Sequence, residues 1–276
     1  MKHAYLIMAH NEFALLKRQL HLLDHPENDI FLHIDKKVPR PQYEALVCAV
    51  VEQIRHAGVQ FLPRRRVAWG GSSQIRLLLA LFRAASRTQH AYYHVMAGVD
   101  LPNKPHDKIL RFFAESAGKN YMEFCPVEED ILDRVRYYYP LQNVLVKRCG
   151  SLGWYLQKAL VRVQKQLAIN RARRAPFAWA KGSNRVSVTH EFVLGLLGFY
   201  AAHRRRFRMV YLADELVVQS FALQSGLPLE DDYLRFCLWI DHKPHTLTQE
   251  DYEALVASPA LFALKYSCET QPAIVE

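Results

Sequence analysis

Tyr92-Tyr93-His94-Val95-Met96-Ala97-Gly98-Val99-Asp100-Leu101-Pro102 decides the fold class of this chain. A short, mostly apolar run over 92–96 ends abruptly in Gly98, Asp100 and Pro102. Such a run, bounded by turn residues, predicts a buried strand with a polar residue just past its carboxyl end. The same arrangement stands twice upstream. The run 3–9 leads into His10-Asn11-Glu12, and the run 30–34 into Asp35-Lys36-Lys37. Between them Phe13, Leu16, Leu20 and Leu23 recur at helical spacing, and helices are expected over 43–56, 75–85 and 108–117, with a short strand at 59–61 and an extended segment at 120–124. Alternating β and α units predict an α/β protein with a mostly parallel, doubly wound sheet flanked by helices. Ligands of such sheets bind outside the carboxyl ends of the strands. His10, Asn11, Asp35 and Asp100 are therefore candidates for binding, although Asp and Asn are also ordinary turn residues after strands.

The chain has 276 residues, half of them apolar. That suffices for one full α/β core and is the composition of an ordered globular protein. No uninterrupted apolar stretch approaches the roughly 18 residues of a membrane span. The start reads as a buried first strand rather than a secretory signal, because its apolar part is short and runs into Asn11-Glu12 with no small-residue cleavage site. The five cysteines are odd in number, scattered and without a CxxC pair. Reduced thiols, a cytoplasmic location and no zinc site are the expectation. The net charge is +9, which calls for an anionic partner: nucleic acid, an anionic membrane face or a nucleotide diphosphate. Between residues 141 and 174 stand eight Lys or Arg and no Asp or Glu. The excess is thus local and lacks the interleaved aromatics of a base-stacking groove, which argues against nucleic acid.

The middle of the chain reads differently. Residues 125–140 are expected to be a loop rich in charge and tyrosine, 152–169 a basic helix and 171–176 a polar hinge. A strand at 185–188 follows, then a helix to 199 capped by Thr189, a helix over 215–224, a strand over 233–240 and a last helix over 247–257. With no repeat and no low-complexity linker, the expectation is a single domain over 1–276 carrying a basic helical insertion at about 141–175. Helix 152–169 either packs by its apolar face with a solvated basic face, or lies on an anionic bilayer.

Three constellations carry chemistry. In Trp69-Gly70-Gly71-Ser72-Ser73 the glycines let backbone approach a ligand with N–H groups free, Trp69 can cover a sugar or base, and the serines are placed to cap the next helix. A turn plus a core tryptophan is the plainer alternative. No GxGxxG and no Walker pattern is present, so neither a dinucleotide fold nor a P-loop is expected. Asp214-Glu215 opens a helix, where a carboxylate is held ionised by the helix dipole and can act as a general base, or simply caps the helix. Arg235, Lys243, His245 and Lys265 form a basic C-terminal group, suited to a leaving diphosphate or to plain solvation. A base, a nucleotide pocket and such cations are the parts of a sugar-transfer enzyme.

Together, these segments resemble the core-2/I-branching β-1,6-N-acetylglucosaminyltransferase family, glycosyltransferase family 14, which also holds peptide-O-xylosyltransferases and many bacterial polysaccharide enzymes. The similarity runs through Ala4-Tyr5-Leu6-Ile7-Met8-Ala9-His10, His33-Ile34-Asp35-Lys36, Trp69-Gly70-Gly71, the 93–102 stretch, Lys181-Gly182-Ser183 with Val188-Thr189, Ala213-Asp214-Glu215, and the segment 258–266 ending in Phe262-Ala263-Leu264-Lys265-Tyr266. The resemblance implies a GT-A-like fold, a UDP-sugar donor (most often UDP-GlcNAc), inversion at the anomeric carbon and no metal or other cofactor. It assigns the catalytic base to Glu215 and a diphosphate contact to Lys265, with His245, Lys243 or Arg235 as the second cation. His10, Asn11, Asp35, Trp69, Gly70, Gly71, Ser72 and Asp100 fall to the donor, and Glu123, Arg134, Arg136 and Asp214 to a glycan or lipid-linked saccharide acceptor. Arg185 stands where relatives often carry an aromatic. The implied setting is bacterial polysaccharide or glycoconjugate synthesis at the cytoplasmic face of the membrane. Xylosyl or other hexosyl transfer, and an inactive nucleotide- or glycan-binding relative, are the alternatives.

Overall fold

The computed structural model describes residues 1–144, 150–240 and 243–269. The first half alternates strand and helix: β1 (His3–Ala9), α1 (Phe13–Leu22), β2 (Asn28–Ile34), α2 (Arg40–Gln53), β3 (Gly58–Phe61), α3 (Ser72–Ala85), β4 (Tyr92–Ala97), β5 (Leu101–Pro102), α4 (His106–Glu115) and β6 (Asn120–Met122). Then come α5 (Glu129–Arg136), α6 (Leu152–Gln166), β7 (Ser187–Thr189), α7 (His190–His203), α8 (Asp214–Ser225), β8 (Leu229–Asp231), β9 (Arg235–Phe236), β10 (Trp239–Ile240), β11 (Lys243–Pro244), α9 (Tyr252–Ala257) and β12 (Phe262–Ala263). Seven strands form the main sheet in the order β3-β2-β1-β4-β7-β6-β8. It is largely parallel, with β7 running antiparallel to both β4 and β6. A small sheet β5-β12-β9 brings the C-terminal segment beside the end of β4.

Why β1 is continuously apolar is visible in its packing. Side chains alternate across a strand. Ala4 and Leu6 enter one core with Leu78 and Phe82 of α3, Phe192 and Leu196 of α7 and Leu216 and Val217 of α8. Tyr5 and Ile7 enter the other, with Leu16 and Leu20 of α1, Leu46 and Val50 of α2 and Ile109 and Phe113 of α4. A sheet covered on both faces has no solvent side to mark with polar residues.

Several expectations need correcting. Residues 129–136 form a helix, not a loop. Its acidic first turn (Glu129, Asp130) and basic last turn (Arg134, Arg136) complement the helix dipole, while Ile131 and Val135 are buried. The strand expected over 233–240 is broken into the two-residue β9 and β10, with Leu234 in the left-handed region at φ 60°. The final helix is only the short α9, after a 3-10 turn at Gln249–Asp251 capped by Thr248. Ser72 and Ser73 do not cap α3. Gly71 holds that position, and the Ser73 hydroxyl accepts from the Ala68 N–H at 2.8 Å. Thr189 does cap α7, accepting from the Phe192 N–H at 3.3 Å. The basic insertion is helical over Leu152–Gln166, and its residues 145–149, among them Lys147, Arg148 and Cys149, lie outside the described residues. The cysteines 48, 125, 237 and 268 are unbridged.

Candidate active site

A cleft of about 380 Å³ opens at the carboxyl ends of β1, β2 and β4, where His10, Asp35 and Ala97 line it. Asp214 and Glu215, in the first turn of α8, form part of its wall together with Asn184, Arg185 and Trp69.

The two carboxylates differ sharply. Arg134 Nη1 donates to Glu215 Oε2 at 3.0 Å, and among the described residues no group bonds Oε1. Asp214 is buried, its Oδ2 accepting from Asn184 Nδ2 at 2.8 Å and its Oδ1 without a partner among the described residues. Burial first, and the neighbouring Glu215 second, push the Asp214 carboxyl up to about 6. The backbone fixes the pair. Leu212, at φ 51°, donates its N–H to the Gly70 carbonyl at 3.0 Å, and the Glu215 carbonyl accepts from the Gly182 N–H at 3.0 Å. Only glycine fits at 182, because a Cβ there would lie 1.8 Å from the Glu123 carbonyl oxygen.

At the end of β2, Asp35 Oδ1 accepts from the Lys37 N–H at 2.8 Å and Oδ2 from the Val67 N–H at 3.2 Å, with Lys37 Nζ 3.4 Å away. His33 accepts from the Arg65 N–H at 3.0 Å, and its burial lowers it to about 4. His10 and Asn11 are exposed. Partial desolvation at the cleft rim and then Lys37 push His10 below the ordinary histidine range, with Lys265 adding to the shift and Asp35 opposing it. Just after Lys265 the chain is tied to the end of β1 by Glu12, whose carboxylate accepts from Ser267 Oγ and from the Cys268 N–H, both at 3.2 Å.

Other expected contacts fall elsewhere. Asp100 does not line the cleft; its Oδ2 accepts from the Ala97 N–H at 2.7 Å and from Arg185 Nε at 2.8 Å. The guanidinium of Arg185 thus sits in the cleft wall, anchored from behind. Arg235 is buried inside the sheet, where it donates to Ser187 Oγ at 3.1 Å and to the Val186 carbonyl at 3.1 Å, below the Phe262 ring. It braces the sheet and does not line the cleft. His245 pairs with Asp251 at 3.2 Å, and neither it nor the exposed Lys243 lines the cleft. Lys37 and Arg185 are the cations that do.

The glycine loop also departs from expectation. Gly70 donates its N–H to Gln74 Oε1 and Gly71 donates to the Ala68 carbonyl at 3.1 Å, so neither N–H is free for an anion. Packing explains the glycines: a Cβ at Gly70 or Gly71 would lie 2.4 Å from the Tyr211 ring or from Asn143 Oδ1, respectively. Ser72 Oγ accepts from Asn143 Nδ2 at 2.9 Å. Of the four, Trp69 alone lines the cleft, exposed and set edge-on to Tyr211.

Trp69 also lines a second cavity of about 420 Å³ between α5, α6 and the loop before α8, with Arg134, Tyr139, Trp154 and Tyr211. The Arg134–Glu215 pair therefore links the two spaces. Arg136 turns away to Glu129 and Asp133. Glu123 lines neither cavity, and its carbonyl accepts from Gln219 Nε2 at 3.3 Å. Among the described residues no cluster of three or more His, Cys, Asp or Glu is arranged to hold a metal ion.

Residues 3–256 match the family model for the core-2/I-branching enzyme. Xylosyltransferase 2 of Rattus norvegicus is 28% identical over 126 residues, which is 44% of this chain and 14% of that protein. Xylosyltransferase 2 of Mus musculus is 28% identical over 127 residues, with the same shares. The chain thus aligns with only a small part of the length of these curated relatives. A solved structure described as a glucose-1-phosphate thymidylyltransferase, from Bacillus anthracis, covers 83% of this chain and 86% of its own at 9% identity, with a TM-score of 0.40, too distant to carry an argument. With the family model spanning nearly the whole of its length, this chain belongs to the core-2/I-branching enzyme family of glycosyltransferases.

Proposed function

We propose that this protein is an inverting glycosyltransferase that moves a sugar, GlcNAc in the first instance, from a UDP-sugar to a hydroxyl of a glycan or lipid-linked saccharide. One observation carries the reading: Glu215 stands in the wall of the strand-end cleft with one oxygen held by Arg134 and the other unbonded among the described residues. In this reading Oε1 takes the proton of the acceptor hydroxyl as that oxygen forms its bond to the anomeric carbon. The bond from that carbon to the diphosphate breaks, and UDP leaves with the electron pair. Lys37 and Arg185 in the cleft wall, with Lys265 near His10, meet the growing negative charge. The donor enters over Asp35 and His10, and the acceptor from the aromatic second cavity past Trp69. Charge compensation by side chains calls for turnover that is insensitive to EDTA.

Xylose is the second reading for the donor, favoured by the names of the two curated relatives. A panel of UDP-sugars, scored by UDP release with and without acceptor, separates the two. Glu215→Gln is expected to lower kcat by about 10²–10⁴ with UDP affinity retained. Near-normal turnover of that variant would remove Glu215 from the role of base.

A further inference from the structure

Helix α6 is mounted with its apolar side outward. Leu152, Tyr155, Leu156, Leu160, Val163 and Leu167 are all 40–75% exposed. At 3.6 residues per turn they fall within an arc of roughly 140°. The opposite side turns Gly153 and Gln157 inward and gives Trp154, Lys158 and Val161 to the second cavity. A soluble helix normally does the reverse. No helix among the described residues is long and apolar enough to cross a membrane, so this stripe is a surface feature.

A second, independent feature adjoins it. Shortly after α6, Arg171 donates to the carbonyls of Arg206 and Arg208 at 2.7 Å and of Arg205 at 3.3 Å. That joins α6 to a cavity of about 370 Å³ walled by Arg76, Arg204, Arg205 and Arg208. Among the described residues none of these four, nor Arg173 or Arg174, is ion-paired. An apolar stripe beside a field of unpaired arginines calls for a partner that is apolar and anionic together. A second copy of the chain would set arginines against arginines. A bilayer with acidic headgroups meets both demands, and the exposed Tyr155 at the helix start suits its interface.

We propose that α6 and the adjoining arginine surface dock this protein on an anionic bilayer. Docking is separate from the transfer reaction and is measured without donor or acceptor, so either reading can fail alone. The test is co-sedimentation of the purified chain with vesicles of phosphatidylcholine alone or mixed with phosphatidylglycerol, at low and at physiological salt. Binding is expected on the mixed vesicles, weakening as salt rises, and little on the neutral ones. Leu156→Glu/Val163→Glu should reduce binding about tenfold or more, since it buries charge in the interface. Arg204→Ala/Arg205→Ala should reduce it about fivefold per charge removed. All four side chains are exposed, so both variants are expected to melt like the parent. Equal binding to both vesicles, no binding, or binding unchanged in both variants would overturn the proposal. So would a dimer in sedimentation equilibrium that the stripe variant dissolves, or salt-sensitive binding to single-stranded RNA without vesicle binding.

Discussion

The sheet half of the molecule and the α5–α6 region meet along Trp69, Tyr211 and the Arg134–Glu215 pair, yet the sheet and helix α6 are held in place by opposite means. Around β1 both faces of each strand are covered, and apolar packing fixes position. Helix α6 is held by polar clasps: Gln157 Oε1 accepts from the Leu141 N–H at 3.0 Å, Gln164 Oε1 from the Tyr138 N–H at 2.8 Å, and Arg171 stacks over the Tyr138 ring. Hydrogen bonds of this kind are worth about 1 kcal/mol each net, whereas burying a leucine contributes about 1.5–3 kcal/mol. A packed strand-end platform thus carries the carboxylates, and α5, anchored in the core by Ile131 and Val135, sets Arg134 between Glu215 and the more polar seat of α6.

The largest stability effect should therefore come from the sheet. Leu6→Ala removes a fully buried side chain at the centre of β1. It is expected to cost about 2–5 kcal/mol, read from urea or thermal unfolding. A loss below about 1 kcal/mol would mean that the platform is not what holds this fold together.

The same contrast explains what could be read from sequence. β1, β2 and β4 were legible because burial on both faces writes a continuous apolar run, and Asp214-Glu215 was legible because a helix start follows it directly. Side-chain partners were not. Nothing local shows that Asp100 faces Arg185, which is 85 positions away, or that Arg235 turns into the sheet rather than toward the cleft. For Gly70 and Gly71 the sequence shows two positions without a side chain, and only the fold shows that Tyr211 and Asn143, not a ligand, take the space. α5 is hard to read from sequence because only Ile131 and Val135 of its eight residues are buried and the tyrosine run 137–139 follows it directly. For α6 the periodicity gave the stripe but not the side on which it would stand.

A smaller effect is expected where the two regions touch. The raised carboxyl of Asp214 is a cost to the folded state at neutral pH. Below the unfolded value near 4 both states are protonated and no cost exists. As pH climbs from there to about 6 the unfolded chain ionises first, so stability falls, and above 6 the full cost is present. A shift of about two units amounts to at most roughly 3 kcal/mol. Asp214→Asn should raise Tm at pH 7.5, with a gain that shrinks toward zero near pH 4, and it should lower turnover by disturbing the neighbour of Glu215. An equal change in Tm at both pH values would trace the effect to packing rather than to charge.

The smallest effect should come from Leu160→Ala in the α6 stripe. Leu160 is 40% exposed, and alanine is the better helix former by a small margin. The expected change in unfolding free energy is within about 0.5 kcal/mol, against the several lost at Leu6. The same chemical deletion made at two sites isolates burial as the variable, since both remove three carbons from a leucine in regular structure. If Leu160→Ala instead costs about 2 kcal/mol or more in dilute solution without lipid, something covers the stripe there. Concentration dependence of that cost would identify a second copy, because association stabilises by mass action. A cost independent of concentration would mean that the stripe packs against part of this chain, and the contrast between a packed platform and an outward-facing wall would fall with it.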